Sequence, residues 1–115
     1  GLGAMGRNHL RLLAARDDVE FAFVADPVAD SLAAALASVP GARGAADALA
    51  LIRHDDALAL DALVIASPTT THLPLALAAI ERGDAVLVEK PLAARMVSRR
   101  FCTESRLADT SCNFK

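Results

Sequence analysis

The chain has 115 residues, a formal net charge of -2, 54% hydrophobic residues and only 3% aromatic residues. Without a basic surplus or aromatics interleaved among cations, it lacks the electrostatic footprint and stacking surface of a nucleic-acid binder. Its length allows one domain or less, and Cys102 and Cys112 have neither C-x-x-C spacing nor histidines placed to complete a metal site, so they read as free thiols and no metal is expected.

The first six residues, Gly1-Leu2-Gly3-Ala4-Met5-Gly6, form a G-x-G-x-x-G loop. They run into a helical pattern from about Arg7 to Ala15, with Leu10, Leu13 and Ala14 at helical spacing. This is how a Rossmann unit grips a dinucleotide pyrophosphate. Gly1 would allow the tight turn, Gly3 would remove a Cβ where backbone approaches the phosphates, and Gly6 would let helix and sheet pack closely. The backbone from Gly3 through Ala4 and Met5, with the positive end of the helix, would do the binding. The alternative is an ordinary glycine-rich turn in an alanine-rich protein. Such a loop follows a strand, and none precedes Gly1 here, so the first strand of the sheet is expected to be lacking.

Glu20 to Ala25 reads as a short buried strand ending in Asp26, near the roughly 20-residue offset at which a carboxylate reaches the adenosine ribose. A carboxylate there accepts from both ribose hydroxyls and repels the extra phosphate of NADP, so NAD is preferred over NADP. Alternatively Asp26, followed by Pro27, caps the next helix.

That helix is expected over Ala29 to Ser38, stopped by Pro40-Gly41, and Ala42 to Ala46 leaves room for a short strand. Asp47 would cap a helix through Leu51 and Ile52, broken at His54-Asp55-Asp56. Asp61 to Ala66 is the clearest strand, a continuous apolar run leading into the polar turn Ser67-Pro68-Thr69-Thr70-Thr71-His72. The threonines offer caps for a helix over Leu73 to Ile80 that Gly83 ends, and Ala85 to Val88 forms a last strand delivering Glu89-Lys90-Pro91. This alternation predicts an α/β fold, a doubly wound parallel sheet whose ligands sit beyond the carboxyl ends of the strands. The glycine loop, Asp26, the Ser67 turn and Lys90 all fall at that edge. No apolar run reaches the roughly 18 residues of a membrane span and no signal-type start is present, so a cytoplasmic protein without membrane contact is expected.

Gly1 to His9, Ala25-Asp26-Pro27, Ala66-Ser67-Pro68 with His72, and Glu89-Lys90-Pro91-Leu92 together resemble the glucose-fructose oxidoreductase, inositol dehydrogenase and MocA family, Gfo/Idh/MocA, over about residues 1 to 93. The resemblance implies an NAD(P)-dependent oxidoreductase acting on a sugar, polyol or related small molecule. It implies that Lys90 is the catalytic lysine beside the nicotinamide, that Glu89 and Lys90 both belong to the cofactor-binding residues, with Pro91 flanking them, and that Lys90-Pro91 is a candidate cis bond. Ser67, Pro68, Thr69 and His72 would line the nicotinamide ribose, although the family often has asparagine where Thr69 stands.

The resemblance also implies a second, mostly β domain, the C-terminal α+β domain, holding the substrate pocket and a further acid or base. It is not encoded in these residues, so this piece alone is expected to be inactive, and the homo-oligomer implied for the family would form through that domain. Residues 94 to 115, with Arg95, Arg99, Arg100 and both cysteines, have no clear apolar period and read as an atypical, disordered or frame-shifted tail. Two other functions fit the same residues: an NAD-binding sensor module without chemistry, and an NAD-using glycoside hydrolase.

Overall fold

The computed structural model describes residues 1–92. Helices and strands alternate along the chain: α1 (Ala4–Ala14), β1 (Phe23–Ala25), α2 (Ala29–Ser38), β2 (Arg43–Ala45), α3 (Ala48–His54), β3 (Ala62–Ile65), α4 (Thr69–Arg82) and β4 (Ala85–Val88). Both strand pairings are parallel, β1 with β2 and β3 with β4. Parallel neighbours need a crossover, and α2 and α4 supply the two crossovers.

Three of the expected elements shift most, and each shift has a physical reason; the strands expected over Ala42 to Ala46 and Asp61 to Ala66 shorten by one residue at each end, to Arg43–Ala45 and Ala62–Ile65. Helix α1 starts at Ala4, not Arg7, because the Gly3 carbonyl already accepts the Arg7 amide at 2.9 Å. The run from Glu20 contracts to Phe23–Ala25, the three residues that find partners in Arg43–Ala45. Helix α4 takes in all three threonines, with Pro68 as its N-cap and no side-chain cap. Thr71 instead donates its hydroxyl to the Pro68 carbonyl at 2.7 Å.

Elsewhere the local chemistry acts as the sequence suggests. The Asp47 carboxylate accepts the Ala50 amide at 3.0 Å and caps α3. Gly83, at φ 89°, ends α4 in the left-handed conformation. Its amide donates to Ile80 and that of Asp84 to Ala79, the double bond of a Schellman end. The Arg82 guanidinium then bonds the carbonyls of Ile52, Asp55 and Leu58, tying the end of α4 to the end of α3.

Two apolar cores result. Leu2, Leu10, Val24, Ala35 and Val39 form one, and Ile52, Ile65, Leu75, Ala76 and Ala78 the other. Strand β1 feeds both, because successive side chains on a strand point to opposite faces: Val24 belongs to the first core and Phe23 packs on the second. Between the two strand pairs lies a cavity of about 540 Å³, lined among others by Leu10, Phe23, Val24, Ile65 and Leu75. Strands β1 and β3 flank it without pairing to each other, so the parallel sheet is built in two halves. No helix among the described residues is long and apolar enough to cross a membrane. Cys102, Cys112 and the 94–115 tail lie outside the described residues.

Candidate functional site

In each strand pair the parallel arrangement sets the carboxyl ends side by side, and the residues singled out in the sequence follow those ends. The glycine loop is shaped by close approach at two of its three glycines. A Cβ on Gly6 would lie 1.9 Å from the Gly1 carbonyl oxygen, and one on Gly1 would lie 2.7 Å from the Ser67 Cα. Both glycines are therefore required by the protein's own packing. Gly3 differs, because a Cβ there would meet nothing within 4 Å. The protein gives no internal reason for glycine at this position, while Gly3, Ala4 and Met5 are exposed at the start of α1.

The first-turn amides of a helix have no carbonyl partner within it. In α1 no side chain caps them, and no acidic residue sits in the first turn. An exposed, uncapped helix start with a bare backbone before it is a cradle for an anion. A dinucleotide pyrophosphate fits this donor set, and the space a Gly3 side chain would fill is left for it.

Asp26 stands at the end of β1 and is 9% exposed. Its Oδ2 accepts the Leu2 amide at 2.6 Å and its Oδ1 the Val28 amide at 2.8 Å. Burial pushes this carboxyl up, but the hydrogen bonds from the two amides oppose it and the pKa lies below the usual value. The carboxylate is thus ionised and fixed beneath the glycine loop. Each of its oxygens has a further lone pair. Helix α2 begins at an N-cap of Val28 with no side-chain cap, so capping is not what Asp26 does.

Past β3, the Ser67 hydroxyl is 2.6 Å from that of Thr71. Thr71 spends its only proton on Pro68, so Ser67 donates to Thr71. Pro68 is exposed and Thr69, half-buried, opens α4. His72 is 1% exposed. Its Nε2 lies 2.7 Å from the Ser67 carbonyl oxygen and its Nδ1 2.9 Å from that of Pro91. Both ring nitrogens are engaged with backbone, so His72 bridges the Ser67 turn and the end of β4.

Past β4, the Glu89 carboxylate pairs with His9 of α1 across 2.5 Å. The His9 hydrogen bond holds the Glu89 carboxyl below its usual range against partial desolvation. Lys90 is exposed, and the Lys90-Pro91 peptide bond is cis. The pairing of His9 with Glu89 escaped the sequence reading. Nothing in local spacing signals a partner 80 residues away, and only the presence of both residues in one family pattern hints at it.

Comparison with known proteins agrees with this geometry. A family model described as "Oxidoreductase family, NAD-binding Rossmann fold" matches residues 1–102, running past residue 93 into the stretch that composition sets apart. Inositol 2-dehydrogenase 4 of Saccharopolyspora erythraea is 38% identical over 109 residues, covering 94% of this chain and 31% of that protein. Among solved structures, myo-inositol 2-dehydrogenase from Lactobacillus plantarum superposes with a TM-score of 0.73 at 26% identity, covering 84% of this chain and 28% of that one. Scyllo-inositol dehydrogenase from Lactobacillus casei, with bound NAD(H) and scyllo-inositol, superposes with a TM-score of 0.68 at 26% identity, covering 81% of this chain and 27% of that one. The chain thus spans about three-tenths of the length of such relatives. With the family model matching most of its residues, the chain belongs to the Gfo/Idh/MocA oxidoreductases, the family with the NAD-binding Rossmann fold, and its cofactor is NAD.

Proposed function

We propose that these residues form the cofactor-binding part of an NAD-dependent dehydrogenase that oxidises a hydroxyl of a polyol, an inositol or a close relative of one. The observation that carries the reading is the convergence of the glycine loop, Asp26, the Ser67 turn and Lys90 on the carboxyl ends of parallel strands, with Leu2 of the loop bonded to Asp26 and His72 bridging the Ser67 turn to Pro91 beside Lys90. The relatives' names supply the substrate class. They also favour oxidation over the sensor and glycoside-hydrolase alternatives. Residues 1–93 are taken as the cofactor domain and 94–115 as its tail.

In this reading Gly3, Ala4 and Met5 hold the pyrophosphate on backbone amides, and Gly1 and Gly6 let the loop fold tightly enough to do so. Asp26 accepts from the adenosine ribose and disfavours the extra phosphate of NADP, which would lie against an ionised carboxylate. Ser67, Pro68 and Thr69 line the nicotinamide ribose, and His72 and Glu89 support the segments beside it. When bound, NAD supplies the hydride acceptor. Lys90 hydrogen-bonds the substrate oxygen and stabilises the charge that develops as the hydroxyl proton leaves. A group of this kind contributes about 10²-fold to 10⁴-fold in rate.

The test is Lys90→Met in the full-length protein with NAD and myo-inositol. A fall in kcat of about 10²-fold or more with an unchanged Kd for NAD supports the reading. Unchanged kcat removes Lys90 from the chemistry.

A further inference from the structure

The hydrogen-bond ladder between β3 and β4 ends where the Glu89 amide donates to the Ile65 carbonyl at 3.0 Å. Beyond that bond, the imidazole of His72 holds the two emerging loops together, through the Ser67 carbonyl on one side and the Pro91 carbonyl on the other. Carbonyl oxygens only accept, so a ring N–H is the donor to either of them.

The two handles are chemically apt. The Ser67 and Thr71 hydroxyls are spent within the turn, on each other and on the Pro68 carbonyl. This leaves the Ser67 carbonyl to anchor the turn from outside. Proline has no N–H, so the carbonyl is the one backbone hydrogen-bonding group that Pro91 offers to hold the residue before it. At 1% exposure, His72 meets little competition from water for either bond.

We propose that His72 is a positioning residue with two separable arms, Nε2 setting the Ser67-Pro68-Thr69 turn for the cofactor and Nδ1 setting the Lys90-Pro91 step for the reacting oxygen. The inference rests on the roles given above to Ser67 and Lys90. It adds that one buried ring divides its work between affinity and chemistry.

Asparagine and glutamine separate the arms. The Asn amide nitrogen stands where Nδ1 does and keeps the Pro91 bond, whereas the Gln amide nitrogen reaches the Nε2 position and keeps the Ser67 bond. In the full-length protein with NAD and myo-inositol, His72→Asn is expected to raise the Kd for NAD by roughly tenfold, the size of one lost hydrogen bond, with kcat unchanged. His72→Gln is expected to lower kcat by roughly tenfold with that Kd unchanged. Equal changes in both parameters, or none, overturn the two-arm assignment, and thermal unfolding of each variant confirms that it is folded.

A measurement on the unsubstituted protein applies whether or not the variants fold. Scalar couplings across the hydrogen bonds, from the His72 ring nitrogens to the carbonyl carbons of Ser67 and Pro91, are both expected. Absence of either overturns the bridge. Lys90→Met separates this inference from the reading beneath it. If Lys90→Met abolishes turnover while the His72 variants show no split, only the inference falls. If Lys90→Met is fully active, the role of Lys90 falls, and with it the assignment of the Nδ1 arm to chemistry.

Discussion

The Leu2 amide donates to Oδ2 of Asp26 at 2.6 Å across 24 residues of sequence, which fastens the glycine loop to the end of β1. One carboxylate therefore fixes the loop, while in the proposed function its remaining lone pairs are the acceptors for the ribose. Replacing it separates the two roles. Asp26→Ala leaves the buried Leu2 amide without a partner and is expected to cost about 1–3 kcal/mol in urea unfolding. Asp26→Asn keeps an acceptor but loses the charge, so its expected effect is on cofactor choice: the ratio of NADP to NAD affinity rises in parallel titrations.

Gly3 and Gly6 are expected to respond to alanine in opposite ways. At Gly6 the added methyl collides with the Gly1 carbonyl, so Gly6→Ala should destabilise by about 3 kcal/mol or more, measured by unfolding. At Gly3 the methyl meets open space at an ordinary φ of -64°. Gly3→Ala should therefore change stability by no more than about 0.5 kcal/mol. Its expected cost is in NAD affinity, about tenfold by calorimetric titration.

Acid should destabilise the fold through two named carboxylates. Asp26 and Glu89 are both held below their ordinary values of 3.8 and 4.5. A depressed carboxyl contributes stability that is complete above the unfolded-state pKa and is lost as pH falls through the lower folded-state value. The midpoint of thermal unfolding should thus be insensitive to these groups above about pH 5 and drop below pH 4. Asp26→Asn and Glu89→Gln should each flatten that acid limb, as seen in unfolding curves taken across the range.

The α3 cap offers a control remote from the cofactor edge. Asp47→Ala removes the acceptor for the Ala50 amide and should cost about 1 kcal/mol in thermal or urea unfolding. The Kd for NAD should not change.

Much of this was legible in the sequence wherever local chemistry decides. Ala29–Ser38 and Ala85–Val88 form at the residues their patterns mark, Asp47 caps, and Gly83 ends its helix because only a residue at ease with positive φ fits there. What local pattern misjudged were strand lengths, since Glu20 to Ala25 is as apolar as a strand requires but only Phe23–Ala25 meets a parallel partner. The threonines after Ser67 look like caps by composition. They lie inside α4 because Pro68, with its fixed φ, takes the capping position.

The sequence by itself determined the class of the molecule: three spaced glycines, one carboxylate at a strand end and a Glu-Lys-Pro step suffice for an NAD-binding α/β fold, because the backbone conformations and charges they impose are local. Only the tertiary structure decided how those parts are joined. It gave His9 to Glu89, Leu2 to Asp26, and the two nitrogens of His72 to Ser67 and Pro91. The His72 bonds join the ends of the paired strands β3 and β4, whereas the other two join the glycine loop and α1 to the ends of β1 and β4, and no spacing along the chain encodes that proximity.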